Sequence, residues 1–331
     1  MSRSVLKAMI VLVVLLGIVG VVFAEGTKEA EKTVPPKVGG AGLGYKFVLV
    51  NHGSSGDPYH AVVKKGMEDA ALVYGVKAEM IFSEGDTAKL VDQLDQAIVG
   101  NPDGVGITIT DEVAFDDIIK RAIDRGIPVI AFNMDDAETP NARLAYIGAD
   151  ERKVGYTIGK YMQRYLKRGD HIVIPEEFPG MTYAIFRSAG IKKAMDEIGV
   201  TYEELDAGVE KAECSRRVSS YLMGHPETDG IIGVGGITTE VSSMVVEDMN
   251  LQKKVVVAGF DLLPGTAEGV KKGITKGTID QQPYLQGYFC VVELAMIKFG
   301  KFSAFDIDTG RGIVTQDNVD EVLELVKRKI R

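Results

Sequence analysis

The sequence predicts an α/β fold built from two doubly wound parallel sheets. Three observations carry that prediction. From residue 45 onward, short apolar runs alternate with amphipathic helical patterns, and such runs are the strands of parallel sheets covered on both faces. About five of these strands precede residue 150 and about five follow it, which fits two sheets of similar size better than one large sheet. A chain of 331 residues also exceeds what one hydrophobic core usually serves.

Before the first strand the chain has a different character. Arg3 and Lys7 precede an apolar run from Ala8 to Ala24 that closes on Val22-Phe23-Ala24. This is the pattern of a secretory signal peptide (residues 1–24), cleaved after about Ala24. The alternative is an uncleaved anchor, although the run is short against the roughly 20 residues of a membrane span. No cysteine lies near the cleavage position, so a lipid-modified terminus has no support. Residues 25–44, rich in Lys, Glu, Pro and Gly without apolar period, form a flexible tether. The "GGAGLG" within it precedes a strand instead of following one, so it is no dinucleotide fingerprint.

The strands then follow in order. The first half holds "KFVLV" (46–50), "KAEMIF" (77–82), "GVGITIT" (104–110), "PVIAFN" (128–133) and "RLAYIG" (143–148). The second holds "HIVIPE" (171–176), "TYEELDA" (201–207), "GIIGVGG" (230–236), "KVVVAGF" (254–260) and "GTIDQQ" (277–282). Helical patterns separate most of them, at 59–75, 88–100 and 152–167 for example. A net charge of −9 and a pI near 5.2 argue against a nucleic-acid partner. The two cysteines, Cys214 and Cys290, make no disulfide framework, and Cys290 in "GYFCVVELAMI" reads as part of a buried helix face. Four histidines, at 52, 60, 171 and 225, match no metal spacing, and no Cys-His or Ser-His-Asp signature is present. No cofactor, metal or catalytic residue is predicted.

Open α/β sheets bind ligands beyond the carboxyl ends of their strands. Those ends carry Asn51-His52, Thr110-Asp111, Asn133 with Asp135-Asp136, Phe260-Asp261 and Asp280-Gln281. Polar residues at equivalent places in successive units are what two sheets facing one cleft would produce. The stretch "TIDQQPYLQGY" (278–288) concentrates such groups around Pro283.

Five segments, in order, carry a family likeness: "VNHGSSGDPYHAVVKKGMEDAA", "GIPVIAFNMDD", "FRSAGIKKAM", "VVVAGFDLLPGTAEGVKKG" and "GTIDQQPYLQGY". In them the chain resembles the periplasmic sugar-binding proteins of bacterial ABC importers, the group of ribose- and galactose-binding proteins, across residues 45–315. The resemblance implies the type I periplasmic-binding-protein architecture, two lobes joined by three hinge crossings near residues 147, 281 and 310. The lobes would comprise 45–147 with 282–310, and 148–281 with 311–331. It further implies a periplasmic monomer that closes on a monosaccharide or related polyol, delivers it to an ABC permease in the inner membrane, and catalyses nothing. Two other readings stand beside it: a binding protein read by a chemoreceptor or sensor kinase, and a sugar-acting enzyme. A repressor core of the same fold would need a basic headpiece where the leader stands.

Sugar hydroxyls donate and accept, so carboxylates, amides and arginine suit them, while aromatic rings cover the C–H faces. By the resemblance, Asp57, Asn133, Asp261 and Gln281 are the polar contacts, with Arg187 as a donor fork and Tyr59 as the aromatic. His52, His60, Asp135 and Thr238 complete the candidates. Asp57 before Pro58 also reads as a helix cap, Asn133 as a turn residue, and Asp261 as a cap. Gln281 is expected to face the ligand, with Asp280 and Gln282 turned towards the hinge and a helix starting near Leu285. Three departures from the ribose pattern argue against ribose itself: Asn133-Met134 in place of Asp-Arg, His60 in place of a second large aromatic, and Gly236 in place of Asn.

Overall fold

The computed structural model describes residues 43–331 apart from 112 and 137–140. The predicted signal peptide, and the tether up to residue 42, lie outside the described residues.

Five parallel strands, β1 (Lys46–Asn51), β2 (Lys77–Phe82), β3 (Gly104–Ile107), β4 (Val129–Asn133) and β5 (Ala145–Gly148), form the first sheet with a short late strand, β11 (Ile307–Asp308). Their order is β11-β5-β4-β3-β1-β2. The second sheet contains β6 (His171–Glu176), β7 (Thr201–Asp206), β8 (Thr228–Ile232), β9 (Val256–Phe260), β10 (Thr275–Asp280) and β12 (Gly312–Val314), in the matching order β12-β10-β9-β8-β6-β7. Among the described residues only β12 runs antiparallel. β11 and β12, two and three residues long, are the strands that the apolar pattern misses. A run that short shows no period.

Along each central strand, successive side chains enter cores on opposite faces. Val48 and Val50 pack with Leu90 and Phe115, while Phe47 and Leu49 pack with Phe132 and Leu294. In the second sheet Ile172 and Ile174 face Ile158 and Phe260, and Val173 faces Val218 and Val257. Burial on both faces is what makes these strands read as continuous apolar runs.

The helices are α1 (Pro58–Tyr74), α2 (Thr87–Val99), α3 (Asp116–Asp124), α4 (Glu151–Met162), α5 (Thr182–Ile198), α6 (Lys211–Gly224), α7 (Gly236–Asp248), α8 (Pro264–Lys271), α9 (Pro283–Gly300) and α10 (Val319–Lys327). The chain passes between sheets three times: from β5 into α4, from β10 into α9, and from β11 into β12. The last long helix begins at Pro283, two residues before the expected Leu285. Proline suits a first helical position, because its fixed φ is already helical and its missing N–H has no partner there anyway.

One helix pair in each lobe packs unusually close. A Cβ on Gly66 of α1 would stand 2.0 Å from the Tyr284 carbonyl oxygen, and one on Gly287 of α9 would stand 1.9 Å from that of Val63. In the second lobe, a Cβ on Gly155 of α4 would lie 2.2 Å from the Arg187 carbonyl oxygen. Only glycine permits either approach. The contact between α1 and α9 brings Tyr59 to Gln286, and that between α4 and α5 brings Glu151 to Arg187. Both thiols are buried in separate helices, Cys214 in α6 and Cys290 in α9.

Candidate ligand-binding cleft

The carboxyl ends of both sheets open on one cleft of about 530 Å³, lined from both lobes. The chain turns back on itself between β1 and β3 and again between β6 and β8, and these switch points are where open sheets form a crevice. His52 follows β1 there, and Glu177 follows β6. Asn133 ends β4 and Asp261 follows β9, the equivalent strands of the two sheets. Both have a left-handed backbone, with φ of 62° and 64°. Asparagine and aspartate tolerate that conformation best after glycine, so the backbone also favours the residue type found at each tip.

The first lobe supplies a neutral network. Asn133 Nδ2 donates to the Tyr59 hydroxyl (2.9 Å) and lies 3.1 Å from Gln286 Oε1, which the Tyr59 hydroxyl also reaches at 3.0 Å. Gln286 Nε2 in turn donates to the Gln281 carbonyl and to Thr309 Oγ1, joining two of the crossings. Asp57 caps α1 by accepting from the Tyr59 N–H at 2.8 Å, and its other oxygen lies 3.9 Å from His60 Nε2. Burial lowers the His60 pKa to about 4, and burial with His60 nearby puts His52 well below its ordinary value. Both imidazoles are therefore neutral at neutral pH.

The second lobe supplies a charged network. Arg187 on α5 is buried, with Nε donating to Glu151, Nη1 to the Val234 carbonyl (2.8 Å) and Nη2 to Gln281 Oε1 (2.8 Å). Its guanidinium carbon sits 4.2 Å from the centre of the Phe260 ring and 5.0 Å from that of Tyr183. Gln281 Nε2 donates onward to Asp261 Oδ1 at 2.7 Å. Burial pushes the Asp261 pKa up to about 7, against the lowering pull of Arg187 and the Gln281 hydrogen bond. The same penalty raises Glu151, offset in part by Arg187.

Of the residues singled out from sequence, His52, Asp57, Tyr59, His60, Asn133, Arg187, Asp261 and Gln281 all line this cleft. Asp135 and Thr238 do not. Asp135 pairs with Arg143 and lines a separate cavity of about 610 Å³ beside the hinge. Thr238 is fully buried, its hydroxyl 3.1 Å from both the N–H and the carbonyl of Gly235, where it closes the start of α7. In the cleft wall the Arg187 Nε, Nη1 and Nη2 and the Gln281 side-chain amide are already bonded to protein, so they act mainly by holding Asp261 and Glu151. Gln282 Nε2 donates to the Thr309 carbonyl, and Asp280 accepts from the Gln282 N–H and pairs with Arg331. These two residues tie the hinge.

Glu177 and Tyr183 also line the cleft and were not among those residues. Glu177 Oε1 accepts from the N–H groups of Ile237 (2.6 Å) and Thr238 (3.0 Å) at the start of α7. The signal for it was present: Glu177 follows the strand "HIVIPE" as His52 follows "KFVLV" and Asn51.

Residues 47–301 match the family model described as the periplasmic binding protein domain. The chain belongs to that family. Among curated relatives, this binding protein is 26% identical to the xylose/arabinose-binding protein XylF of Sulfolobus acidocaldarius, over 84% of this chain and 73% of that one. It is 28% identical to a D-ribose/D-allose-binding protein of Pseudomonas aeruginosa, over 67% and 74%. A solved structure of an ABC transporter solute-binding protein from Burkholderia graminis, in complex with D-arabinose, superposes with a TM-score of 0.77 at 27% identity, covering 83% of this chain and 96% of that one.

Proposed function

We propose that this protein captures a monosaccharide or related polyol between its lobes and presents it to an ABC permease. The observation that carries the reading is the cleft: carboxylates, amides and aromatic rings converge there from the strand ends of both sheets. A ring of hydroxyls needs that mixture of acceptors, donors and apolar faces. The relatives named above are sugar-binding proteins, and the one from Burkholderia graminis is an ABC transporter solute-binding protein, which supports delivery to a permease over sensing or catalysis. Asp57, Tyr59, Asn133 and Asp261 are the residues we assign to direct contact, and His52 and His60 close the wall beside them. The ligand favours the closed form because only closure lets both lobes touch it. We further propose export to the periplasm, removal of the leader after Ala24, and function as a monomer.

The test is a thermal-shift panel on the chain lacking residues 1–24, unfolded and refolded to strip carried-over ligand. Xylose, arabinose, ribose, allose, hexoses and inositols are the first compounds. A rise of several degrees with one class supports the reading, since binding stabilises the native state by mass action. No shift with any sugar or polyol overturns it.

A further inference from the structure

We propose that the ligand of this cleft carries a protonated amine and that Glu177 selects it; the proposal rests on the cleft being a sugar or polyol site.

The argument starts from the charges that face the cleft. Two cations line it, Arg187 and Lys211. Arg187 is paired with Glu151, and Lys211 with Glu240. Four carboxylates line it as well, the exposed Glu84 and three others, Asp57, Glu177 and Asp261. Among the described residues none of the three has a lysine or arginine within ion-pair distance, and Asp57 has only His60 at 3.9 Å. The histidine is neutral, as its lowered pKa shows. The cleft is thus negative by up to three charges, with Glu84 adding to its rim. Burial raises the pKa of all three carboxyls, and for Asp261 the other two add to the rise. Arg187 offsets part of that rise for Glu177 and Asp261 but is paired directly with Glu151, and a bound cation would supply a direct countercharge.

The geometry points the same way. Each carboxylate has one oxygen bonded to protein: Asp57 to the Tyr59 N–H, Glu177 to two N–H groups of α7, and Asp261 to Gln281. Among the described residues, the second oxygens of Glu177 and Asp261 accept no hydrogen bond. Room is kept for them. A Cβ on Gly235 would lie 2.6 Å from Glu177 Oε2, and one on Gly236 would lie 3.2 Å from Asp261 Oδ2. The Tyr183 hydroxyl, on a side chain 8% exposed, lines the same wall and has no partner either. Glu177 is the best placed of the three to select charge, because two backbone N–H groups hold it at a fixed point opposite the first lobe. A neutral sugar offers hydroxyl donors but leaves the negative charge uncompensated, and an anionic sugar adds to it.

Isothermal titration calorimetry at about pH 7 on matched compounds tests this. Glucosamine, galactosamine and mannosamine are each compared with the parent hexose and the N-acetyl derivative, alongside neutral pentoses and inositols. The expected result is at least tenfold tighter binding of one amine than of both its relatives, an advantage that shrinks with added salt. In Glu177→Gln the advantage disappears while the urea midpoint of the unliganded protein holds. Should that variant not fold, Glu177→Asp, which keeps the charge but draws it back, is expected to reduce the advantage. A parent hexose or pentose that binds as tightly as any amine overturns the inference and leaves the sugar reading standing. An amine advantage that survives Glu177→Gln removes Glu177 from its role. Silence from every compound, neutral sugars included, overturns the sugar reading and this inference with it.

Discussion

Asn133 and Asp261 occupy the same place in the two lobes, at the tip of the fourth strand of each in chain order, with the same left-handed backbone. Their surroundings differ. Asn133 sits in a neutral circle of amides and a phenol, with Tyr59 and Gln286. Asp261 ends a charged line through Gln281 and Arg187 to Glu151. One fold, used twice, has built a neutral amide circle around one strand tip and a charged line behind the other. In a dry site, neutral hydrogen bonds each add little but fail gently, whereas a buried ion pair leaves a costly orphan when half of it is removed.

The largest expected effect follows from that asymmetry. Arg187→Met strands Glu151 in the interior and leaves Gln281 Oε1 without its donor, so unfolding in urea should show a loss of about 3–5 kcal/mol. Asn133→Ala, the matching cut in the first lobe, should cost about 1–3 kcal/mol, the range for a broken neutral network. Equal losses would erase the contrast between the lobes.

The next effect is one of pH. The Asp261 carboxyl titrates near 7 in the folded protein, well above the ordinary aspartate value near 4 in an unfolded chain. Between those values the folded state holds a proton that the unfolded state has released. Stability from this group is therefore full below about pH 4 and is lost as pH rises towards 7. Melting temperatures from about pH 4.5 to 7.5 should fall for the natural protein relative to Asp261→Asn, by an amount on the order of 1 kcal/mol after screening. The difference between the natural protein and Asn133→Ala, which keeps Asp261, should show no such slope. A flat difference for Asp261→Asn would mean that the charged line does not reach the cleft.

How far these features were legible in sequence varies with their physical origin. The strands and their division into two sheets follow from apolar runs buried on both faces, and the tips at Asn133 and Asp261 follow from the strands that lead to them. Asp135 and Thr238 illustrate what a tip position leaves open. Which way a side chain turns depends on a partner far along the chain or on the local cap, and Arg143 and the Gly235 backbone decided those two. Gln281, expected to face the ligand, lines the cleft and also bridges Arg187 and Asp261, so its removal disturbs the fold as well as the site. Glu177 follows β6 as His52 follows β1 at the equivalent place in the other sheet, so the strand-end argument applies equally to it.

The smallest predicted change tests whether the neutral side is as forgiving as its chemistry implies. Tyr59→Phe removes one hydroxyl from the circle and keeps the ring. Asn133 Nδ2 still has Gln286 Oε1 at 3.1 Å, and Gln286 still donates to the Gln281 carbonyl and to Thr309. No buried group is left without a partner, so the loss should stay within about 1 kcal/mol and should not vary with pH. The apolar face offered to a sugar is unchanged, so affinity should fall by less than about tenfold, the equivalent of 1.4 kcal/mol. A loss approaching that of Arg187→Met would mean that the Tyr59 hydroxyl, and not the ion pair, holds the lobes in register, and the two halves of the cleft would then have to be ranked in the opposite order.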